Sequence, residues 1–338
     1  MTHEGFLFIS YDDTLRYFGA REALEIVEQV YHMHARGSVV FSDPPSFKMD
    51  VADFNNFWHV KACLLRDIPV AGVRMYSYFD DGRRTTVGTR DSTRYVILSD
   101  PRTSLPLGMV DEHWSYGLRS SAAAVVGCKW LGPKAPRTLG LIGVGTMCST
   151  ALRCLNTMYQ FEEIRCTSRR PETREAFAKS WSDKLGIPVV AVASAQEAVA
   201  DADIVVGGTT APEVTCHWEW LKPGVTFISL ARCELDPKGW GRMDKVVLDS
   251  FALNYKLPWF KEMVASGDLP KDQIHGEMWE VVSGARPGRE SERESVLIHT
   301  TGLVSQDVAI AHWIYQRVRE EGGGTRLPVA HASDQTPG

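Results

Sequence analysis

The sequence predicts an α/β protein in which a doubly wound domain, built on a parallel sheet, is joined to a smaller α+β domain. Three observations carry this. From Thr138 onward, apolar runs alternate with segments of helical spacing: "TLGLIG", a helix from about Thr146, "EIRCTS", "TREAFAKSW", "VVAV", "AQEAVAD", "IVVGG". Such alternation marks parallel strands covered by helices on both faces. Between Asn55 and Asp111 the runs "FWHVKACLL", "VAGVRMYSYF", "RYVILSD" and "LPLGMVD" are rich in β-formers and separated by turn residues, as in a mainly antiparallel sheet. At 338 residues the chain also exceeds what one core usually encloses.

Taken in order, "FLFISYDD" reads as a short strand followed by a turn. "AREALEIVEQVYHMHARG" spaces Leu24, Ile26, Val27, Val30 and Tyr31 as one helical face and closes on Gly37. Asp100-Pro101 suits a hairpin connection. "DEHWSYGLRSSAAAVVGCKWLG" reads as one long helix, rich in small side chains and stopped by Gly132-Pro133. "VTFISL", "KVVLDS" and "VLIHTTG" extend the parallel sheet. The final helix "SQDVAIAHWIYQRVREE" is expected to return to the first domain, which is therefore discontinuous. The expected boundaries are 1–117 with 305–330 for the smaller domain and 118–304 for the parallel-sheet domain. Residues 331–338 form a flexible tail, within an ending, "GGGTRLPVAHASDQTPG", that is expected to be partly disordered.

Composition narrows the class. The chain is 44% hydrophobic and 23% charged, with formal net charge −5 and no long block of one sign, so nothing asks for nucleic acid. No apolar stretch reaches the roughly 18–20 residues that span a bilayer, and "MTHEGFLFIS" lacks the pattern of a signal peptide, so a cytoplasmic location is expected. Seven cysteines with no C-x-x-C pair suit a reducing compartment and give no zinc signature.

The stretch "LGLIGVGTMCSTALRCL" carries the chemistry. A strand, then Gly143-Val144-Gly145, then a helix opening with Thr146 and Met147 is the arrangement by which Rossmann-type domains hold a pyrophosphate on helix N–H groups. Cys148 takes the third position of G-x-G-x-x-G, where a thiol is only somewhat larger than the usual Gly or Ala. A βα turn in a fold that binds no nucleotide is the plainer alternative. At the end of the second strand, where a carboxylate would accept from the ribose of NAD, stand Ser168, Arg169 and Arg170. Hydroxyl and guanidinium donors there favour NADP(H), with NAD(H) the alternative; solvated loop arginines would need no such explanation. Thr209, Thr210, Leu230 and Gly302, each just beyond a strand, complete the expected cofactor set.

These features together resemble the ornithine cyclodeaminase and mu-crystallin family. "YGLRSSAAAVVGCKWLGP" is similar to the family segment ahead of its Rossmann strand, and "ASAQEAVADADIVVGGTTAPEV" to its E-A-V-x-x-A-D-I segment. "WEWLKPGVTFISL" and "TTGLVSQDVAIAHWIYQ" match its W-l-K-P-G and terminal-helix patterns. Within the family, "SGDLPKDQIHGEMWEVVSGARPGRESERESVLIHTTG" most resembles the branch that forms 2,3-diaminopropionate from N-(2-amino-2-carboxyethyl)-glutamate.

The resemblance implies hydride exchange between a nicotinamide and a carbon bearing nitrogen, in an amino acid or its imine, with the substrate carboxylate clamped by Arg119. Arg74 stands where the family has a lysine that touches substrate and assists proton transfer. Arginine stays protonated and so makes a poor general base. Lys48 corresponds to another substrate-facing cation, or is a solvated loop lysine. Arg232 stands near an aspartate that cyclodeaminases use, which argues against that lyase reaction and offers a second carboxylate a partner, although Glu234 and Asp236 leave the register open. Asp307 matches a family acid near the nicotinamide, or serves the helix dipole. His299 and Thr300, at a strand end, are candidates to face the cofactor, whereas His59, His113 and His312 are read as packing or surface residues. The leading expectation is an oxidoreductase with a carboxylate-rich substrate, of 2,3-diaminopropionate-forming or opine-like type. A ketimine reductase of mu-crystallin type, a cyclodeaminase-like lyase and a non-catalytic NADP(H)-binding protein are the alternatives. The resemblance also implies a homodimer formed through the first domain, to which the aromatic strands "FWHVKACLL" and "RMYSYF" would contribute; burial within one monomer explains them equally.

Overall fold

The structure is a computed structural model that describes residues 5–54, 56–79, 92–231 and 234–328. The expected flexible tail, 331–338, lies outside the described residues. The chain divides into two compact units: residues up to Ile26 with Arg36–Tyr116 and Val304 onward, and Val27–Ala35 with Gly117–Leu303.

Strand β1 (Phe6–Ile9) leads directly into helix α1 (Tyr11–Tyr17), where the sequence reads as a turn. The polar "SYDD" is a helix start: Ser10 Oγ accepts from the Asp13 N–H at 3.2 Å, and the Asp13 carboxylate accepts from the Ser10 N–H at 3.0 Å. Then come α2 (Ala20–Ala35), β2 (Val39–Phe41), β3 (Phe47–Val51), β4 (Asn56–Leu65), β5 (Val70–Phe79), β6 (Thr93–Ser99) and β7 (Pro106–Asp111). The single long helix expected next is two, α3 (Ser115–Val125) and α4 (Cys128–Leu131). They part at Gly127, whose missing side chain admits Met278: a Cβ there would lie 2.7 Å from the Met278 methyl.

The second unit continues with β8 (Thr138–Ile142), α5 (Thr146–Asn156), β9 (Glu163–Thr167), α6 (Pro171–Leu185), β10 (Val189–Ala191), α7 (Ala195–Val199), β11 (Ile204–Gly207) and β12 (Thr226–Ser229). It ends through α8 (Pro237–Trp240), β13 (Lys245–Leu248), α9 (Phe251–Asn254), α10 (Pro258–Ser266), β14 (Ile274–Glu277), α11 (Met278–Val282) and β15 (Val296–His299). Helix α12 (Val304–Glu320) and β16 (Thr325–Leu327) belong to the first unit. Part of the ending expected to be disordered is thus ordered, because β16 pairs antiparallel with β1 and satisfies backbone groups that this strand would otherwise leave at an edge.

In the first unit the strand order is β16-β1-β7-β6-β5-β4-β2, with β3 on β4. The pairing is antiparallel except for β1 beside β7. Helix α12 covers one face, and Gly72 on β5 lets it approach: a Cβ there would meet Val308 at 2.5 Å. In the second unit the order is β10-β9-β8-β11-β12-β15-β13-β14, every pair parallel. Strands β8, β11, β12, β13 and β15 are apolar and buried almost throughout, as strands covered on both faces must be. After β8 the chain moves outward to β9 and β10, then returns to β11 on the other side of β8. That reversal is the switch point at which such sheets bind ligands.

Candidate active site

In the second unit, the switch point carries the glycine stretch. Gly143 has φ 109°, a conformation that only glycine adopts without strain, and a Cβ there would lie 2.8 Å from the carbonyl oxygen of Gly208. Gly145 is the N-cap of α5 and is exposed; as a glycine it brings no capping side chain, and a Cβ added to it meets nothing within 4 Å. The glycine pair therefore does two different things, turning the chain under β11 and leaving open space beside the start of α5. Such a cradle fits a pyrophosphate. Cys148 is fully buried, its Sγ 3.5 Å from the Ile142 carbonyl oxygen and against Gly208, so the thiol fills the position of close helix–strand contact. Helix α3 fixes the cradle from behind. Gly117 lies against Thr146 and Thr150, and Ser121 Oγ bonds Thr150 Oγ1 at 2.7 Å and the Met147 carbonyl at 3.1 Å.

At the end of β9, Ser168 Oγ donates to the Arg170 carbonyl at 3.1 Å, and Arg174 donates to the Ser168 carbonyl at 2.9 Å. Arg169 and Arg170 are exposed. Thr209, partly exposed, and Thr210, exposed, follow β11; Leu230 follows β12 and donates its N–H to the Gly207 carbonyl at 2.9 Å. A cavity of about 350 Å³ is lined in part by Thr209, Glu213, Glu234, Trp259 and Met263.

Arg119 and Gly302, far apart in sequence, meet beyond the end of β15. The Arg119 side chain is 5% exposed, and a Cβ on Gly302, whose φ is 85°, would fall 2.0 Å from its guanidinium. Gly302 thus makes room for the arginine. The Asp249 carboxylate accepts from the N–H groups of Thr301 and Gly302 at 2.8 and 2.6 Å and fixes this turn.

His299 differs from its expected role. It is fully buried, bonded through Nδ1 to Ser229 Oγ at 3.0 Å and walled by Trp240 and Trp259, so it faces the core, and burial lowers its pKa to about 4. Ser229 in turn donates to Glu234 at 2.5 Å. Glu234 also holds the Ala231 N–H at 3.1 Å and the Thr209 N–H, tying the ends of β11 and β12 together. Burial raises its pKa to about 8 against those hydrogen bonds. Sequence reasoning met Glu234 only as a doubt about register; its signal was an acidic residue just past a buried strand. Between about pH 4.5 and pH 8 the folded chain keeps a proton there that the unfolded chain releases, so this group makes stability fall as pH rises. Glu234→Gln, which mimics the protonated acid, is expected to melt higher than the natural chain near pH 8 and to lose that advantage toward pH 5, as thermal denaturation across the window reads directly. Arg232, the other residue proposed beside this loop, lies outside the described residues.

In the first unit, Arg74 and Asp307 come together. Arg74 Nε lies 2.8 and 2.9 Å from the two Glu112 oxygens, and 3.5 Å from Asp307, which is in the first turn of α12; all three side chains are almost fully buried. Burial works against the charge on Arg74, but the carboxylates of Asp307 and Glu112 more than offset it and raise its pKa. Arg94, 2% exposed, lies 3.9 Å from Glu112, with its guanidinium 3.9 Å from the centre of the Tyr116 ring. Sequence reasoning missed both Glu112 and Arg94. Lys48 is on edge strand β3 rather than in a loop, half exposed, 2.6 Å from Asp50 and over the Phe57 ring. His59, read as a packing or surface residue, pairs through Nδ1 with Tyr76 Oη at 2.5 Å. Among the described residues no group of three or more His, Cys, Asp or Glu could hold a metal ion, and no helix is long and apolar enough to cross a membrane.

The sheet and its glycine cradle define a Rossmann-type dinucleotide-binding protein. Residues 13–322 match the ornithine cyclodeaminase/mu-crystallin family, and the chain belongs to it. Among relatives, it is 27% identical over 237 residues to N-((2S)-2-amino-2-carboxyethyl)-L-glutamate dehydrogenase of Staphylococcus aureus, covering 69% of this chain and 70% of that protein. It is 28% identical over 266 residues to iminosuccinate reductase of Paracoccus denitrificans, covering 77% and 81%. Among solved structures, Δ1-pyrroline-2-carboxylate reductase of Thermococcus litoralis, in complex with NADH and L-proline, matches with TM-score 0.87 and 27% identity over 95% of this chain and 100% of that one. These names set the chain among oxidoreductases.

Proposed function

We propose that this chain is an NAD(P)-dependent oxidoreductase acting on the C–N bond of an amino acid or its imine, in the manner its relatives' names describe. The observation that carries the reading is the conjunction, on the carboxyl edge of one parallel sheet, of an open dinucleotide cradle at Gly143–Gly145 and a buried guanidinium, Arg119, under Gly302. When bound, the nicotinamide supplies or accepts a hydride. Thr146 and Met147 present backbone N–H groups to the pyrophosphate, while Thr209, Thr210, Leu230 and Gly302 shape the rest of the cofactor's path. Arg119 holds a substrate carboxylate as a planar fork in a site of low exposure, where a charge-assisted pair is strong. Arg74 and Asp307, locked to one another, keep charge and geometry constant rather than exchanging protons. The substrate is a carboxylate-rich one of 2,3-diaminopropionate-forming or opine-like type, for which Lys48 is a substrate-facing cation and Arg232 the partner of a second carboxylate. A cytoplasmic small-molecule enzyme fits this reading.

NADP(H) is the preferred cofactor. Ser168, Arg169 and Arg170 offer hydroxyl and guanidinium donors at the end of β9, and no carboxylate is among them. Arg169→Asp is expected to move the ratio of kcat/KM for NADPH over NADH at least about tenfold toward NADH, because a carboxylate repels the 2′-phosphate and accepts from a free ribose hydroxyl. An unchanged ratio removes the NADP(H) assignment.

A homodimer formed through the first unit is part of the same proposal. On the face of its sheet turned away from α12, Val73 is 40% exposed and Val40 36%, with Ala62, Leu64 and Ile97 beside them. A second copy covers this apolar area. Turnover with an imine separates the enzyme from a protein that only binds NADP(H).

A further inference from the structure

The Glu234 carboxyl gathers the ends of three parallel strands of the second unit. It accepts from the N–H of Thr209 after β11 and, at 3.1 Å, from that of Ala231 after β12. It also lies 2.5 Å from Ser229 Oγ, which is 3.0 Å from His299 Nδ1 on β15. Gly207, the last residue of β11, makes room for it: a Cβ there would lie 2.9 Å from the Glu234 side chain. The residue is 2% exposed, and it lines the cavity of about 350 Å³ together with Thr209, Glu213, Trp259, Glu262 and Asp268.

Two features set this carboxyl apart from one that only ties strands together. The first is its partners. Among the described residues, none of them is a cation and no lysine or arginine lines the cavity, so no positive side chain there balances a carboxylate taken out of water. A hydroxyl both donates and accepts, so Ser229 can hold the acid and the carboxylate alike. The second is its place in the sheet. Under the proposed cofactor assignment the adenosine ribose lies at Ser168, Arg169 and Arg170 beyond β9. A dinucleotide that crosses the switch point from there sets its nicotinamide half over β11 and β12, whose ends Glu234 joins.

We infer that Glu234 balances the charge of the coenzyme, keeping its proton beside the neutral reduced nicotinamide and releasing it to solvent beside the cationic oxidised ring. The inference rests on the oxidoreductase reading. One proton held or released keeps the total charge of this part of the site the same in both redox states. Burial raises the Glu234 pKa to about 8, so a single added charge nearby decides its state under ordinary conditions. The other titratable groups around it are Cys148 on α5, Glu213 after β11, Asp236 at the start of α8, Glu262 on α10, Asp268 after α10 and His299 on β15. Burial keeps Cys148 a thiol and lowers the pKa of His299 to about 4, so both stay neutral across the range in which Glu234 titrates.

The test is calorimetric titration of the full-length protein and of Glu234→Gln with NADP+ and NADPH, and with NAD+ and NADH, from about pH 6 to about pH 9. In the natural chain the affinity for the oxidised coenzyme relative to the reduced one is expected to rise about tenfold over this range, as a difference of about one pH unit in the Glu234 pKa between the two complexes requires. The 2′-phosphate of NADP(H) titrates in both redox states and cancels in this ratio. In Glu234→Gln the ratio should stay within about twofold, whereas a carboxyl that only ties strand ends would change both affinities alike. A second readout needs no variant: infrared difference spectra of the natural chain near pH 8 should show the C=O band of a protonated carboxyl with the reduced coenzyme and its loss with the oxidised one. A flat ratio in the natural chain, a pH-dependent ratio that persists in Glu234→Gln, or an unchanged band overturns this inference alone. Binding of neither coenzyme pair by the natural chain overturns the oxidoreductase reading, and this inference with it.

Discussion

Gly145→Ala is expected to fold as the natural chain does and to bind NADPH at least about tenfold more weakly, whereas Gly143→Val is expected to lose both stability and binding. The two glycines are one residue apart, but the structure asks different things of them. Gly145 has φ −82°, which any residue adopts, and its missing Cβ faces open space. A methyl group there costs the folded chain almost nothing and fills the approach to the α5 amides. Gly143 has φ 109°, and a Cβ would press to 2.8 Å from the Gly208 carbonyl. A β-branched residue adds backbone strain of roughly 1–3 kcal/mol to that clash. Thermal melting with calorimetric titration of the two variants checks the contrast. Equal affinity in Gly145→Ala and the natural chain places the cofactor elsewhere.

Arg119→Ala should lower kcat/KM about 100-fold or more, mainly through KM, with dinucleotide affinity within about threefold of the natural value. Removing one member of a desolvated, hydrogen-bonded charge pair costs roughly 2–5 kcal/mol, much of it from leaving the substrate carboxylate unpaired. The variant also vacates the space that Gly302 leaves for the guanidinium, so some loss of stability is expected. Steady-state kinetics with Δ1-pyrroline-2-carboxylate and iminosuccinate, beside a binding isotherm for NADPH, distinguishes the roles. Parallel loss of substrate and dinucleotide binding would place Arg119 in the scaffold of the cradle instead.

How much of this was legible in the sequence follows from the physics of each signal. The parallel sheet was, because strands covered on both faces must be apolar throughout and their helices must alternate with them. The cradle was legible because few residues tolerate the backbone that Gly143 adopts. The start of α1 was misread because a capping box and a turn draw on the same Ser and Asp residues. That Gly127 leaves room for Met278, more than a hundred residues away, is something no local pattern reveals. The site divides in the same way. Arg74 and Asp307 could each be singled out, but not their pairing, nor Glu112 and Arg94, which join them through strand register and the start of α12. His59 looked like any half-buried histidine until register set it across from Tyr76.

Calorimetric titration of NADPH and NADH into the purified protein tests the central claim most directly, namely that the amides opening α5 beyond Gly145 hold a dinucleotide pyrophosphate. Saturable binding with one site per chain, tighter for NADPH, is the predicted result. Absence of heat with both coenzymes, from protein that melts cooperatively, would contradict the account.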